Sequence, residues 1–258
     1  MIKRDELIDF INQTIGKELI SKALQKDEML NGIQFLGGEN VEKVALGVSL
    51  NEEFLQEAEK FGSNFCIFHH GFDVRTWKSR YPTYSQKRLR LIFKNDITVM
   101  GFHYALDAHP KIGNNAQIVK KLGANIKEPL FDEWGYTATF EKSQDIHDLA
   151  EKCQKIFNHE VFVVENGPHK VKKIGVVSGG AKPYEAEVAE MEEKGVELFL
   201  SGETSESTPY KMKEAKINYF VCGHYATEKF GVQELGKSIE SKFNGKINVK
   251  FIEVENPI

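Results

Sequence analysis

The sequence predicts an α/β fold made of two related, facing lobes with largely parallel sheets. Three observations carry that expectation. Short apolar runs alternate with amphipathic stretches along the 258 residues, as when crossover helices join parallel strands. The chemically active side chains fall just after apolar runs, where strands deliver residues into loops at their carboxyl ends. The two halves also repeat a pattern. Residues 43–49 open a strand–helix–strand–loop–helix–strand run ending in His103-Tyr104-Ala105-Leu106-Asp107, and residues 173–178 open one ending in His224-Tyr225-Ala226-Thr227-Glu228. The expected lobes are therefore 1–123 and 124–258.

The elements follow in order. Leu7, Ile8, Ile11 and Ile15 have helical spacing within 5–15. Residues 24–38 are turn-rich, with Asn31-Gly32 and Gly37-Gly38. A buried strand at 41–49 precedes Asn51, which caps a helix with Phe54, Leu55, Ala58 and Phe61 on its apolar face; Gly62 ends it. The next strand ends in His69-His70-Gly71, with Gly71 expected to ease a turn. A long loop, 72–84, holds Asp73, Arg75, Trp77, Lys78 and Arg80; Ser85 then caps a helix with Leu89, Ile92 and Phe93 inside. A strand at 97–102 meets His103, and a short helix covers 116–122. Alternation at Trp134, Tyr136, Ala138 and Phe140 predicts a half-buried strand. Helices are expected at 146–157, 184–194 and 229–242, and strands at 161–164, 174–177, 198–200, 217–222 and 247–254.

Bulk properties exclude several classes. A net charge of −4 disfavours a general polyanion binder, so nucleic acid is not an expected partner. Three cysteines, Cys66, Cys153 and Cys222, form no disulfide or zinc pattern and suggest a reducing cytoplasm. The start shows no apolar signal core, and no run is long enough to cross a membrane.

The side chains with chemistry are His69, His70, His103, Asp107, His224 and Glu228. Adjacent strand residues point to opposite faces, so one ion does not readily take both His69 and His70, whereas two neighbouring ions take one each. His103 and Asp107 lie four apart, as do His224 and Glu228; on a helix that spacing shares one face. Mixed imidazole and carboxylate donors suit Zn, Fe, Mn or Co better than Mg or Ca. Two carboxylates among several imidazoles suit a bridged pair of ions about 3.5–4 Å apart. The plainer alternative makes these strand-end histidines satisfied by neighbours, and the acids helix caps. Cys66 and Cys222 are expected to be buried and inert. His109, His147, His159 and His169 are expected on the surface. Ser178-Gly179-Gly180-Ala181 reads as a tight turn, with an anion cradle as the competing reading. Arg75, Lys78, Arg80, Lys87, Arg88 and Arg90 make a basic cluster, mostly solvated, from which one or two could hold a substrate phosphate.

Together these motifs resemble the NIF-three-like family, whose members are named GTP cyclohydrolase 1 type 2 homologues. The resemblance rests on His69-His70-Gly71 (the family more often has Pro third), the block from His103 to Gly113-Asn114-Asn115, the Ser-Gly-Gly-Ala loop, Gly202-Glu203, and Gly223 to Glu228. It spans about residues 30–240. It implies two divalent cations between two α/β lobes, with His69, His70, Asp107, His224 and Glu228 as ligands and His103 either orienting a ligand or moving protons. It also implies a ring-shaped homohexamer. The family name implies hydrolysis of GTP or another phosphorylated small molecule through a metal-bound hydroxide. The alternative is a non-catalytic metal-binding adaptor or metal-handling protein, since a fold and its metals do not fix a substrate.

Overall fold

The computed structural model describes residues 1–76 and 78–258; Trp77, expected in the long loop, lies outside them. The chain divides into two units, Met1–Leu106 with Gly231–Glu255, and Asp107–Phe230 with Asn256–Ile258. This grouping puts 107–123 with the second unit and 231–255 with the first, whereas the sequence motifs group the chain as 1–123 and 124–258.

The first unit opens with β1 (Ile2–Lys3), α1 (Arg4–Ile15) and α2 (Lys17–Lys26), followed by β2 (Gly32–Phe35), β3 (Asn40–Val41) and β4 (Lys43–Ser49). The turn-rich reading of 24–38 missed β2, because Asn31-Gly32 and Gly37-Gly38 sit at or just beyond its ends, and the sequence reading assigned no element to α2. Next come α3 (Glu52–Phe61), β5 (Phe65–His70), α4 (Thr83–Lys94) and β6 (Thr98–Gly101). Asn51 caps α3 by accepting from the Phe54 N–H, and Gly62 closes it in the left-handed conformation. β4, β5 and β6 are parallel neighbours, and β2 closes one edge antiparallel. Phe54, Leu55, Phe68, Ile92 and Val99 pack into one core between strands and helices.

The second unit starts within α5 (Tyr104–Asp107) and continues through α6 (Asn114–Leu122), β7 (Asn125–Leu130), β8 (Gly135–Asp145), α7 (Ile146–Phe157) and β9 (Phe162–Val164). Then come β10 (Lys170–Val176), α8 (Glu185–Glu193), β11 (Leu198–Ser201), α9 (Thr208–Ala215), β12 (Asn218–Val221) and α10 (His224–Phe243). The final strand, β13 (Asn248–Phe251), pairs in parallel with β4 in the first unit's sheet. The six strands of the second unit run in the order β7-β8-β10-β11-β12-β9.

The expected strand order is present in each sheet: β4-β5-β6 in one, β10-β11-β12 in the other. The flanks differ, and this corrects one expectation. The second sheet is mixed rather than largely parallel, because β7, β8 and β9 all pair antiparallel. β7 and β8 form a hairpin, a local pairing that needs no crossover helix. The sequence reading gave no bounds to the helix before the last strand of the second run, α9, whose eight residues carry little apolar periodicity, and began α10 five residues late.

Gly71 differs from expectation too. Its φ is not positive, so no special turn requires it. A Cβ there would instead strike the Gln34 side chain, which brackets Phe72 by accepting from its N–H and donating to its carbonyl.

Candidate metal centre

In the first unit, β5 ends on His69 and His70 while β6 runs out toward His103. The three imidazoles each offer a nitrogen within 4.8 Å of the others. Ring centroids lie 4.6 Å apart for His69 and His70, and 5.0 and 5.3 Å from each to His103. Each ring has a partner at Nδ1. His69, fully buried, donates from Nδ1 to the Phe102 carbonyl at 3.0 Å. A carbonyl only accepts, so this bond fixes the tautomer and makes Nε2 the lone-pair nitrogen, the form a metal needs. His70 Nδ1 bonds Ser49 Oγ at 3.0 Å. His103 Nδ1 faces both oxygens of Asp27, at 3.1 and 3.0 Å.

Asp27 is a site residue that sequence reasoning missed. It follows α2 and sits 76 positions before His103, so nothing local signals the pairing. Burial favours its neutral form, but the His103 hydrogen bond and charge, with the Met29 and Tyr104 N–H groups, outweigh this and hold the carboxyl well below its usual range. A carboxylate lowered in the folded state stabilises the fold above its unfolded pKa, and that stability is lost as pH falls. Asp27→Asn should therefore cost about 1–2 kcal/mol near neutrality. The difference from the parent should shrink below about pH 4, as read by urea unfolding at stepped pH.

In the second unit, Asp107, His224 and Glu228 come together. His224 and Glu228 sit on the first two turns of α10, with His224 Nε2 3.1 Å from a Glu228 oxygen. His224 Nδ1 meets Glu203 Oε1 at 2.5 Å, and Glu203 also pairs with Lys182. Burial disfavours the imidazolium, but the Glu228 and Glu203 carboxylates overcome this and push its pKa up to about 9. Asp107 and Glu228 are 4 % and 2 % exposed and offer oxygens within 4.8 Å of one another. Two buried carboxylates so close are costly without added positive charge.

The glycine and asparagine motifs explain how these acids are held. Asn114 Nδ2 and Ser178 Oγ both donate to Asp107 Oδ1, at 2.9 and 2.8 Å. Asn115 donates to the Asp107 carbonyl and accepts from the Ser178 N–H. Gly179, at φ +67°, passes so close to Glu228 that any Cβ would collide with its carboxylate. Its N–H donates to Thr227 Oγ1. With the N–H groups of Ser178 and Gly179 bound to side chains, the loop is a tight turn that backs the acids. Glu203 holds the His224 ring through Nδ1, the way carboxylates orient metal-binding histidines; were His224 to ligate a metal, Glu203→Gln would weaken that binding about 10–100-fold by chelator competition.

The remaining candidates fall elsewhere. Cys66, Cys153 and Cys222 are buried free thiols. Burial pushes the Cys66 thiol up, and burial with the neighbouring Cys153 pushes Cys222 up, so both are poor thiolate ligands. His109 Nδ1 accepts from the Lys111 and Ile112 N–H groups. In the basic cluster, Arg75 grips Asp73 with two hydrogen bonds and Arg88 lies over the Tyr84 ring.

Comparison with known proteins follows the same lines. The family model described as Duf34/NIF3 (NGG1p interacting factor 3) matches residues 2–257. The GTP cyclohydrolase 1 type 2 homolog of Haemophilus influenzae is 32% identical over 262 residues, covering 98% of each chain. A solved structure described as protein ybgI, of unknown function, is 28% identical and superposes with a TM-score of 0.88 over 100% of each chain. Reduced HcgD from Methanocaldococcus jannaschii, 22% identical over 98% of each chain, shares the fold with a TM-score of 0.81.

Proposed function

The chain belongs to the Duf34/NIF3 family, and from that premise we propose that it is a divalent-metal-dependent hydrolase of a nucleotide or related phosphorylated small molecule. Two cations would be held by His69, His70, Asp107, His224 and Glu228. Zinc, iron, manganese and cobalt suit this donor set.

The observation that carries the reading is the pair of buried acids, Asp107 and Glu228, with oxygens within 4.8 Å. Neutral donors already fix one Asp107 oxygen. The His224 imidazolium supplies one positive charge to this pair; a bound cation would supply more, and His69 presents an Nε2 lone pair suited to it. Five donors exceed what one tetrahedral ion takes, which favours two ions over one.

Bound cations would supply Lewis acidity and acidify water at neutral pH. The chain's own groups do the rest. His103 moves a proton at Nε2, with its Nδ1–H anchored on Asp27 so that the ring keeps one orientation. His224 would hold a cation through Nε2 in its neutral form, with Glu203 bonded to Nδ1 to keep the ring's orientation. The basic residues after β5 provide phosphate contacts, with Arg80 and Lys87 as the first to replace. The reading includes a homohexamer, which light scattering tests directly. Among the described residues no helix is long and apolar enough to cross a membrane.

The test is a turnover screen of the metal-reconstituted protein on GTP, other nucleotides and phosphoesters. Metal-dependent turnover that falls sharply in His103→Gln, with metal content kept, supports the hydrolase. Full metal loading with no turnover on any compound would reassign the protein to metal binding without catalysis.

A further inference from the structure

The geometry points to a separate single-ion site on the second unit, formed by His147, Glu165 and His169 and selective for zinc-class divalent cations. All three side chains are exposed, and each offers a ligand atom within 4.8 Å of the others. His147 Nδ1 lies 3.6 Å from Glu165 Oε1, and the imidazole centroids of His147 and His169 are 6.2 Å apart. Two imidazoles and a carboxylate are a zinc, cobalt or nickel donor set rather than a calcium or magnesium one. Ligand atoms about 2.1 Å from a tetrahedral ion lie about 3.4 Å apart, so closure needs only small rotamer shifts.

The backbones that carry the three donors are fixed. Glu165 and His169 flank the turn Asn166-Gly167-Pro168, and buried Asn218 pins that turn with three hydrogen bonds. Its Oδ1 accepts from the Asn166 and Gly167 N–H groups, and its Nδ2 donates to the Pro168 carbonyl. A Cβ on Gly167 would press on the Lys216 carbonyl at 2.8 Å, which holds the turn to its present path. The His169 carbonyl accepts from the Ile146 N–H, the neighbour of His147. His147 itself is set by the α7 cap, where its N–H donates to Asp145 Oδ1. Three side chains with ligand chemistry thus project from three locked positions, so little backbone order has to be created on binding. An ion there would clip the start of α7 to the β9–β10 turn.

The experiment is Zn²⁺ titration of the full-length protein under chelator competition, beside His147→Ala/His169→Ala and Asp107→Asn. The proposal expects the double variant to lose one zinc equivalent and Asp107→Asn to keep that equivalent. Co²⁺ added to the parent protein should broaden the ring resonances of His147 and His169 together. Equal zinc stoichiometry in the parent and the double variant, or cobalt that leaves both rings sharp, would overturn the site. Because the substitutions lie on the surface and far in sequence from Asp107 and Glu228, this outcome is independent of the proposed hydrolase.

Discussion

Gly179→Ala is expected to lose both stability and metal. At φ +67° a non-glycine residue carries about 1–2 kcal/mol of backbone strain. The larger effect is steric, since the new methyl group would occupy the position of the Glu228 carboxylate. Glu228 is 2 % exposed and its carboxylate lies 3.1 Å from His224 Nε2, so displacing it disturbs that pair. We expect a total loss of about 3 kcal/mol or more by urea unfolding, together with loss of bound metal by elemental analysis. A variant with parental metal content would show that the loop yields and that Gly179 does not set the acid's position.

Asp107→Asn separates charge from shape. The asparagine side chain has nearly the same volume, and its oxygen still accepts from Asn114 and Ser178. The fold should therefore stay within about 1.5 kcal/mol of the parent, the range of volume-conserving changes. Metal affinity should fall by more than the 10–100-fold typical of removing an outer partner, because a charged ligand itself is lost. The two readouts, thermal unfolding without metal and chelator competition with it, should move independently. A large stability loss with unchanged metal affinity would make Asp107 a structural residue.

Much of this was legible in the sequence because it was written in local code. Asn51 and Gly62 bound α3 as their cap chemistry demands, and the apolar run 65–68 delivers His69 and His70 to a strand end. His224 and Glu228 share a helix face because their spacing is four. What was illegible depends on partners far along the chain. Asp27 reaches His103 across 76 residues, Ser178 reaches Asp107 across 71, and Glu203 reaches His224 across 21. No periodicity reports such pairs. The mixed second sheet escaped for a related reason: β7 carries a proline and mostly exposed side chains, so it lacks the alternation that marked β8. Gly71 was read through its backbone freedom, when its constraint is the Gln34 side chain folded against it.

The central claim, that five named side chains hold two ions, is tested most directly by metal stoichiometry. The measurement is elemental analysis of the His147→Ala/His169→Ala protein after reconstitution and removal of free metal. This background removes the surface site from the count. The account predicts two equivalents of a transition metal per chain, with a loss on adding either His70→Ala or Asp107→Ala. No retained metal, or retention that neither substitution changes, would contradict it.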